Sequence, residues 1–549
     1  MKAALVHASG LLLAALTLPV PTVQAQAPKR GGELRLAIQA EPRTFDPAQA
    51  TDEPSELVRY LTGGVLVRLN RATQKLEPEL AESWTLSKDG KVLTLRLRPG
   101  VRFSNGATLQ ARDVCATFTR LMDPALDAPG AEVFRTIQGG MRCETRDTQT
   151  VALRFGEPVP GVLRLLDDIA IQAAASDPAH GPWLGPFLVS QHRAGSFITL
   201  ARNPHYWKRD SQGGQLPYLD SIRLEIQRNR DFELMRFRNG ELHLVNNLDP
   251  VLFERLQTAS PSLVRDVGIA LDTEQVWFNQ APAAPLPPHK KAWFASTAFR
   301  RAISLAINRQ DIARVVFKGH ATPALGPVSP ANRAWIHAGL AAPAYDPKAA
   351  LASLARSGFQ LRGNTLIDNT GNPVEFSIIT NAGNRTREQM GAMIQDDLKK
   401  IGMRVSVAPL DFPSLIGRIA KTYDYDACLL GLVMTDLDPI AQSQVWLSSG
   451  PQHQWNPGQS TPQTPWEAEI DRSMRLLAVE ASPAARKRAF DRVQEIVVEQ
   501  APFIYLVNRH ALVAVSQEVR GVQPVVLRPQ TLWNVERLWL ASGAQVSQR

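Results

Sequence analysis

EPELAESWTLSKDGKVLTLRLRPGVRFSNGATLQARDVCATFTRLMDP, residues 77–124, sets a strand, a turn, a second strand, a polar loop and a helix in immediate succession. Leu93, Leu95 and Leu97 alternate with Thr94, Arg96 and Arg98, the period of two that buries one face of a strand. Asp89-Gly90 just before this run suits a two-residue hairpin turn, so residues 84–98 read as a β-hairpin. Beyond Asn105-Gly106, Val114, Phe118 and Leu121 recur at helical spacing, and Asp123-Pro124 supplies the stop.

Similar signals recur along the chain. Ile222, Leu224 and Ile226 alternate as in a strand, as do Val374, Phe376 and Ile378, and again Met403, Val405 and Val407. Met390, Met393, Ile394, Leu398 and Ile401 form one apolar helix face between the last two strands, which predicts a βαβ unit and an α/β lobe. A second helix is expected over residues 486–500, closed by Pro502, with a return strand over residues 504–515. At 549 residues and 44% hydrophobic content, the chain buries large cores and divides into two or three domains. Pro-rich APAAPLPPHKK, residues 281–291, is the clearest composition break and reads as a crossover between lobes.

The first 25 residues differ from the rest. Lys2 precedes an apolar run from Ala3 through Leu18, and Val23-Gln24-Ala25 ends it in small residues, the pattern of a secretory signal peptide cut after Ala25. No cysteine stands at that position to accept a lipid, so the reading is a protein free in the periplasm. The 61 Lys and Arg against 52 Asp and Glu give a net charge of +9, and removing residues 1–25, whose one charge is Lys2, leaves +8. The basic residues form scattered pairs rather than blocks, which argues against nucleic acid as a partner. Cys115, Cys143 and Cys428 are an odd number for an oxidising compartment: a Cys115–Cys143 bridge and three buried thiols are both open, and neither has metal-site spacing. The ten histidines are dispersed, with His289, His320, His337, His453 and His510 in separate elements.

At this point the 77–124 segment resembles the signature of the family 5 extracellular solute-binding proteins of ABC transporters, which include the dipeptide and oligopeptide receptors. GGELRLAIQAEPRTFDPAQA (31–50), GPFLVSQHRAGSFITLARNPHYW (185–207), LPYLDSIRLEI (216–226), VWFNQ (276–280), FRRAISLAINRQDI (299–312) and APFIYLVNRHALV (501–513) extend the resemblance along nearly the whole chain. It implies an α/β fold of two-lobed periplasmic binding-protein type, type II-like, closing about a hinge. Lobe I would combine residues 28–280 with 511–549, carrying an extra inserted subdomain at about 67–181, and lobe II would span 281–510. The implied function is a monomeric receptor that captures short peptides between its lobes and delivers them to the transmembrane subunits of an ABC permease, meeting the membrane through that permease alone. Chelated nickel, haem, glutathione or an opine is the alternative cargo. No cofactor is implied.

The same resemblance directs attention to GLVMTDLDP, residues 431–439, where Asp436 precedes the Asp438-Pro439 pair and is expected to meet a peptide ammonium. Its spacing is one residue shorter than in the dipeptide receptors, and Leu432-Val433 replaces a tryptophan. Capping of the helix after Pro439 is the competing role for both aspartates. For a ligand carboxylate, the loop after the strand at Val374 offers Asn381, Asn384 and Arg385, at the strand end where α/β clefts bind. Trp446 and Trp455 line a side-chain pocket or fill the lobe core, Phe45 and Asp46 in TFDP are similarly placed between two roles, and Asn279 serves either ligand or hinge backbone. His453 beside Trp455 is the histidine to watch for a metal cargo. A periplasmic hydrolase is the third reading, but G-x-S-x-G, H-E-x-x-H, the phosphate-binding G-x-x-x-x-G-K-[ST] and C-x-x-C are all absent, so no enzyme is expected.

Overall fold

The computed structural model describes residues 27–542 apart from 127, 136, 160, 433–436 and 481. The proposed signal peptide and Asp436 lie outside the described residues. The chain builds around one eleven-stranded sheet with a wing at each end. In the first wing Glu33–Ile38 pairs in parallel with Ser221–Ile226 in full register, followed outward by Phe197–Arg202 and Phe187–Arg193. Leu34 and Leu36 and their partners Ile222 and Leu224 are buried with Val58 and Leu61 of the helix Glu53–Thr62. In the second wing Glu375–Asn381 and Arg404–Leu410 run parallel, with the helix Arg385–Lys399 between them, the expected βαβ unit. Met390, Ile394 and Leu398 are fully buried, and a Cβ at Gly391 would come within 2.9 Å of Val407, so glycine sets how closely helix and strand approach. Among the described residues no helix is long and apolar enough to cross a membrane.

Two long antiparallel strands join the wings, Val264–Phe278 and Phe503–Val515. Leu244–Val245 of the first wing pairs with Ala514 and Val515, while Ala427–Leu432 of the second pairs with Thr273–Phe278 and Ala321–Pro323 pairs with residues 507–509. Between these neighbours no further described strand flanks residues 267–272 or 510–513. The ladder is irregular there, shifting register between Asp266 and Ile269 and again before Thr273, with Gly268 at φ +105°. Passage between the wings is therefore made within a strand, upstream of the Pro-rich 281–291 segment that the composition break singles out. That segment leads into the helix Pro288–Ala295, whose Trp293 and Phe294 share a core with Phe278. Strand pairing carries the crossing, and it needs no change in composition to do so.

A second sheet, Ala81–Leu86, Val92–Leu97, Thr150–Phe155 and Met141–Thr145 in that order, stands beside the first wing. Leu93, Leu95 and Leu97 bury one face against Val114, Phe118 and Leu121 of the helix Ala111–Leu121, as their periods predict. The hairpin differs in its turn: the ladder ends at Leu86 opposite Leu93, Ser87 and Val92 bond across the neck, and residues 88–91 span the loop rather than two residues. Ser87 is the reason, since its hydroxyl takes the Val92 N–H at 2.9 Å, and Asp89 accepts from Lys91 N at 3.1 Å. Cys115 and Cys143 are disulfide-bonded, which ties this helix to the edge strand across 28 residues. Loop closure of that length is worth about 3–4 kcal/mol in the chain-entropy account. Cys428 is a buried thiol, pushed well above its ordinary pKa by that burial.

Candidate functional site

A cavity of about 690 Å³ opens where the first wing, the four-stranded subdomain, the crossing ribbon and the second wing meet. That volume is in the range of small-ligand sites. Asp52 caps the helix Glu53–Thr62 by accepting from Ser55 N at 3.1 Å, and the helical period then turns Glu53, Glu56, Leu57 and Tyr60 toward the cavity. Thr117 and Leu121 come from the subdomain, Ala270, Leu271 and Asp272 from the crossing strand, and Leu437, Ala441, Gln444 and Gln452 from the second wing. Residues 526–530 close one side.

Both signs of charge line this space. Burial pushes the Glu56 carboxyl up to about 7, and the neighbouring Arg59 offsets only part of that. At another wall Arg71 sits 2.6 Å from Asp167, with Arg164 at 3.7 Å and Arg68 at 3.8 Å. Burial works against the Asp167 charge, but Arg71, then Arg68 and Arg164, override it and hold the carboxyl below its ordinary range. Arg68 and Arg71 also stack over Tyr60, 4.7 and 5.4 Å from its ring centre.

A chain of alternating charges runs from the second wing through the crossing ribbon to this cavity. Arg387 Nε is 2.9 Å from the Glu274 carboxylate, Arg509 lies 3.6 Å from Glu274 and 2.7 Å from Asp272, and Arg528 reaches Asp272 and Glu53 at 3.4 Å each. Gly431 leaves the room: a Cβ there would meet Arg387 at 2.5 Å and Glu274 at 3.0 Å. Glu274 is the buried member of this chain, and a buried carboxylate is tolerable only when paired, as it is here with Arg387 and Arg509.

The residues singled out from sequence are distributed differently. Asp438 is buried, its carboxylate 3.0 Å from Arg486, and it caps the short helix Pro439–Gln442 by accepting from Ile440 N at 3.1 Å; the capping role prevails, and the side chain is not in the cavity wall. Asn384 caps the helix Arg385–Lys399, Asn381 accepts from Arg387 at 2.9 Å, and Arg385 is exposed. Arg387 occupies the inward position expected of Arg385, because two residues along a helix start rotate the side chain to another face. Trp446 and Trp455 are sealed in the second-wing core against Phe503, and Trp455 donates to Glu467 at 3.1 Å. Phe45 packs edge-on to His192 at 5.0 Å on the first-wing core, Asp46 pairs with Arg120, and their chain neighbours Pro47 and Ala48 line the cavity. Asn279 donates to the Tyr423 and Tyr425 carbonyls at 2.8 and 2.9 Å and fixes the turn after the crossing strand. His453 is a satisfied core side chain, bonded to Val445 O at 3.0 Å and Gln459 at 2.8 Å.

Sequence reasoning missed Glu56, Arg71, Asp272, Glu274, Arg387, Arg509 and Arg528. Asp272 and Glu274 carried a usable signal, two acids set into an otherwise strand-like run ending in VWF. The arginines carried none, since each matches an ordinary surface residue until the partner is known.

The family described as bacterial extracellular solute-binding proteins, family 5 middle, has a model that matches residues 75–454. The chain belongs to this family. A probable ABC transporter-binding protein of Deinococcus radiodurans is 24% identical over 541 residues, covering 89% of each chain. The oligopeptide-binding protein AppA of Bacillus subtilis is 22% identical over 543 residues, 94% of this chain and 93% of AppA. Its structure in complex with a nonapeptide aligns with a TM-score of 0.74 at 21% identity, over 94% of this chain and 100% of that one. NikA from Brucella suis in complex with Fe(III)-EDTA aligns at 0.79 with 20% identity, over 93% and 100%. The fold is thus the two-lobed one of these family 5 proteins, with the wings as its lobes.

Proposed function

We propose that this protein is the periplasmic receptor of an ABC importer for short peptides, held in the cavity between the wings and handed to a membrane permease. The observation that carries the reading is the composition of that cavity. Its walls come from both wings and the ribbon between them, and Arg59, Arg71, Arg164 and Arg528 are matched by Glu53, Glu56, Asp168 and Asp272. Walls that carry both signs of charge, with Glu56 half charged near pH 7, suit a zwitterionic ligand better than an anionic chelate. AppA, with its nonapeptide, supports the same class of cargo; NikA with its iron chelate supports the alternative.

In this reading lobe I comprises residues 28–280 and 511–549 with the subdomain at about 67–181, lobe II comprises 281–510, and the crossing strands act as the hinge. Residues 1–25 are a cleaved signal peptide, and the mature chain works as a monomer. The peptide lies extended, its backbone bonded as an added strand, with Glu56 and Asp436, the neighbour of cavity-lining Leu437, as partners for its ammonium. No covalent step is part of the mechanism. Native mass spectrometry of protein purified from the periplasm, then denatured to release cargo, tests the reading. A mixture of short peptides is the expected result; one non-peptide species would replace the substrate class and leave the receptor role standing.

A further inference from the structure

Far apart in sequence, Asp266, His320 and His510 converge where the ribbon leaves the first wing. Asp266 lies on the first crossing strand opposite Leu512, and His510 on the second, opposite Ile269. His320 sits in the turn that precedes Ala321–Pro323, the short strand added on the second-wing side. Their side chains are 29%, 13% and 17% exposed, open to solvent yet held in place. His320 Nδ1 is 2.6 Å and His510 Nδ1 3.0 Å from the same oxygen, Asp266 Oδ2, and one donor atom from each of the three residues falls within 4.8 Å of the others. Among the described residues this is the one group of three such side chains.

The surroundings fix each ring. Glu254, on the helix Pro250–Ala259 of the first wing, lies 2.8 Å from His320 Nε2, and Thr322 Oγ1 lies 3.1 Å from His510 Nε2. Gly268 N donates to Asp266 Oδ1 at 2.9 Å, which His510 Nδ1 also approaches at 3.2 Å, while Oδ2 is the oxygen nearest to both imidazoles. Phe253 packs edge-on to His320 at 4.6 Å, and His510 N donates to His320 O at 3.1 Å. A carboxylate at Nε2 accepts that N–H, so the neutral ring turns its Nδ1 lone pair toward Asp266 Oδ2, itself an acceptor. At 2.6 Å a proton bridges this pair; a metal ion bonded to both at about 2.0–2.2 Å would open it to roughly 3.3 Å, a small movement for groups already gathered about one point. An imidazole whose outer nitrogen is held by a carboxylate is the arrangement that orients metal ligands.

We propose that Asp266, His320 and His510 bind one divalent transition-metal cation, Zn²⁺ in the first instance, with water completing a tetrahedral set. Two imidazoles and one carboxylate suit a borderline cation of this class, whereas calcium and magnesium call for oxygen donors. The ion ties both crossing strands to the second-wing turn, and through Glu254 to a first-wing helix, so it acts on the hinge and not on the cargo cavity.

The test is calorimetric titration of tag-free, EDTA-stripped protein with ZnCl₂, paralleled by Co²⁺ absorption. One equivalent bound at micromolar or tighter affinity, with the intense visible bands of tetrahedral Co²⁺, is expected, and His320→Ala with His510→Ala should abolish both. The exposed pairs His180–Asp177 and His192–Glu41 supply two donors each and contribute weak extra uptake. Absence of saturable Zn²⁺ uptake, or uptake surviving the double variant, overturns the site and leaves a proton between His320 and Asp266. If the double variant does not fold, Glu254→Gln decides, since it leaves all three ligands in place: binding weakened by roughly tenfold supports the site, and unchanged affinity overturns it.

Discussion

The four-stranded subdomain and the crossing ribbon are both antiparallel β-structure, and the ribbon adds a chain of ions to the apolar packing on which the subdomain rests. In the subdomain, Leu93, Leu95, Phe118 and Phe134 are completely buried, and the Cys115–Cys143 bridge fastens helix to sheet. In the ribbon, register breaks three times between Asp266 and Gln275, and the ions Arg387, Glu274, Arg509 and Asp272 are set among apolar residues that pack into the wings. Apolar packing has one deep minimum and resists distortion. Charge chains have more than one way to pair, and they punish the loss of any one member.

The sharpest way to break that comparison is Phe118→Ala. Truncating this ring, which packs against Phe134 at 5.9 Å, is expected to lower stability by about 3–5 kcal/mol in chemical denaturation while cargo affinity stays as it was. A loss of affinity in the folded variant would mean the subdomain shapes the site as well as bracing it. Glu274→Gln comes next: with Arg387 and Arg509 left without their shared carboxylate, a loss of about 3 kcal/mol is expected, and here affinity and the closed fraction seen by X-ray scattering should fall too.

Glu56 sharpens the picture through pH. Its folded pKa, about 7, is raised above the unfolded value, so its contribution to stability is complete below the unfolded pKa and is lost as pH rises through about 7. Glu56→Gln should therefore be more stable than the parent at pH 8.5, by about 2 kcal/mol, and near parity at pH 4. Peptide affinity should move the other way, weakened roughly tenfold at pH 8.5 and much less at pH 5.5; matched losses at both pH values would remove Glu56 from the ammonium site. Smallest of all, Arg385→Ala should shift the melting midpoint by less than about 0.5 kcal/mol equivalent, against a clear loss for Arg387→Ala, and a reversed order would return the inward role to Arg385.

Much of the fold was legible because periodicity reports burial directly. The alternation at Leu93–Leu97 and the helical spacing of Val114, Phe118 and Leu121 each needed one buried face, and each obtained it. The hairpin loop departs from a two-residue turn because a serine hydroxyl, invisible to pattern, takes over the closing bond. Site residues were less accessible. Trp446 and Trp455 carry the same letters whether they line a pocket or fill a core, and Asp438 was drawn into a cap and an ion pair with Arg486, 48 residues away. Arg387, two positions from the arginine expected to act, shows the general obstacle: which face a side chain takes at a helix start depends on where the cap falls, here Asn384. The histidines dispersed along the chain gave no hint that two of them share one aspartate.

The strand Phe503–Val515 lies in the middle of the sheet, between residues made hundreds of positions earlier. A chain emerging from its N-terminus therefore holds Leu244–Val245 and Val264–Phe278 as open edges until Phe503–Val515 is available. Neither wing completes its sheet alone during synthesis. Assembly of the sheet therefore waits on Phe503–Val515, whatever the rest of the chain has already formed.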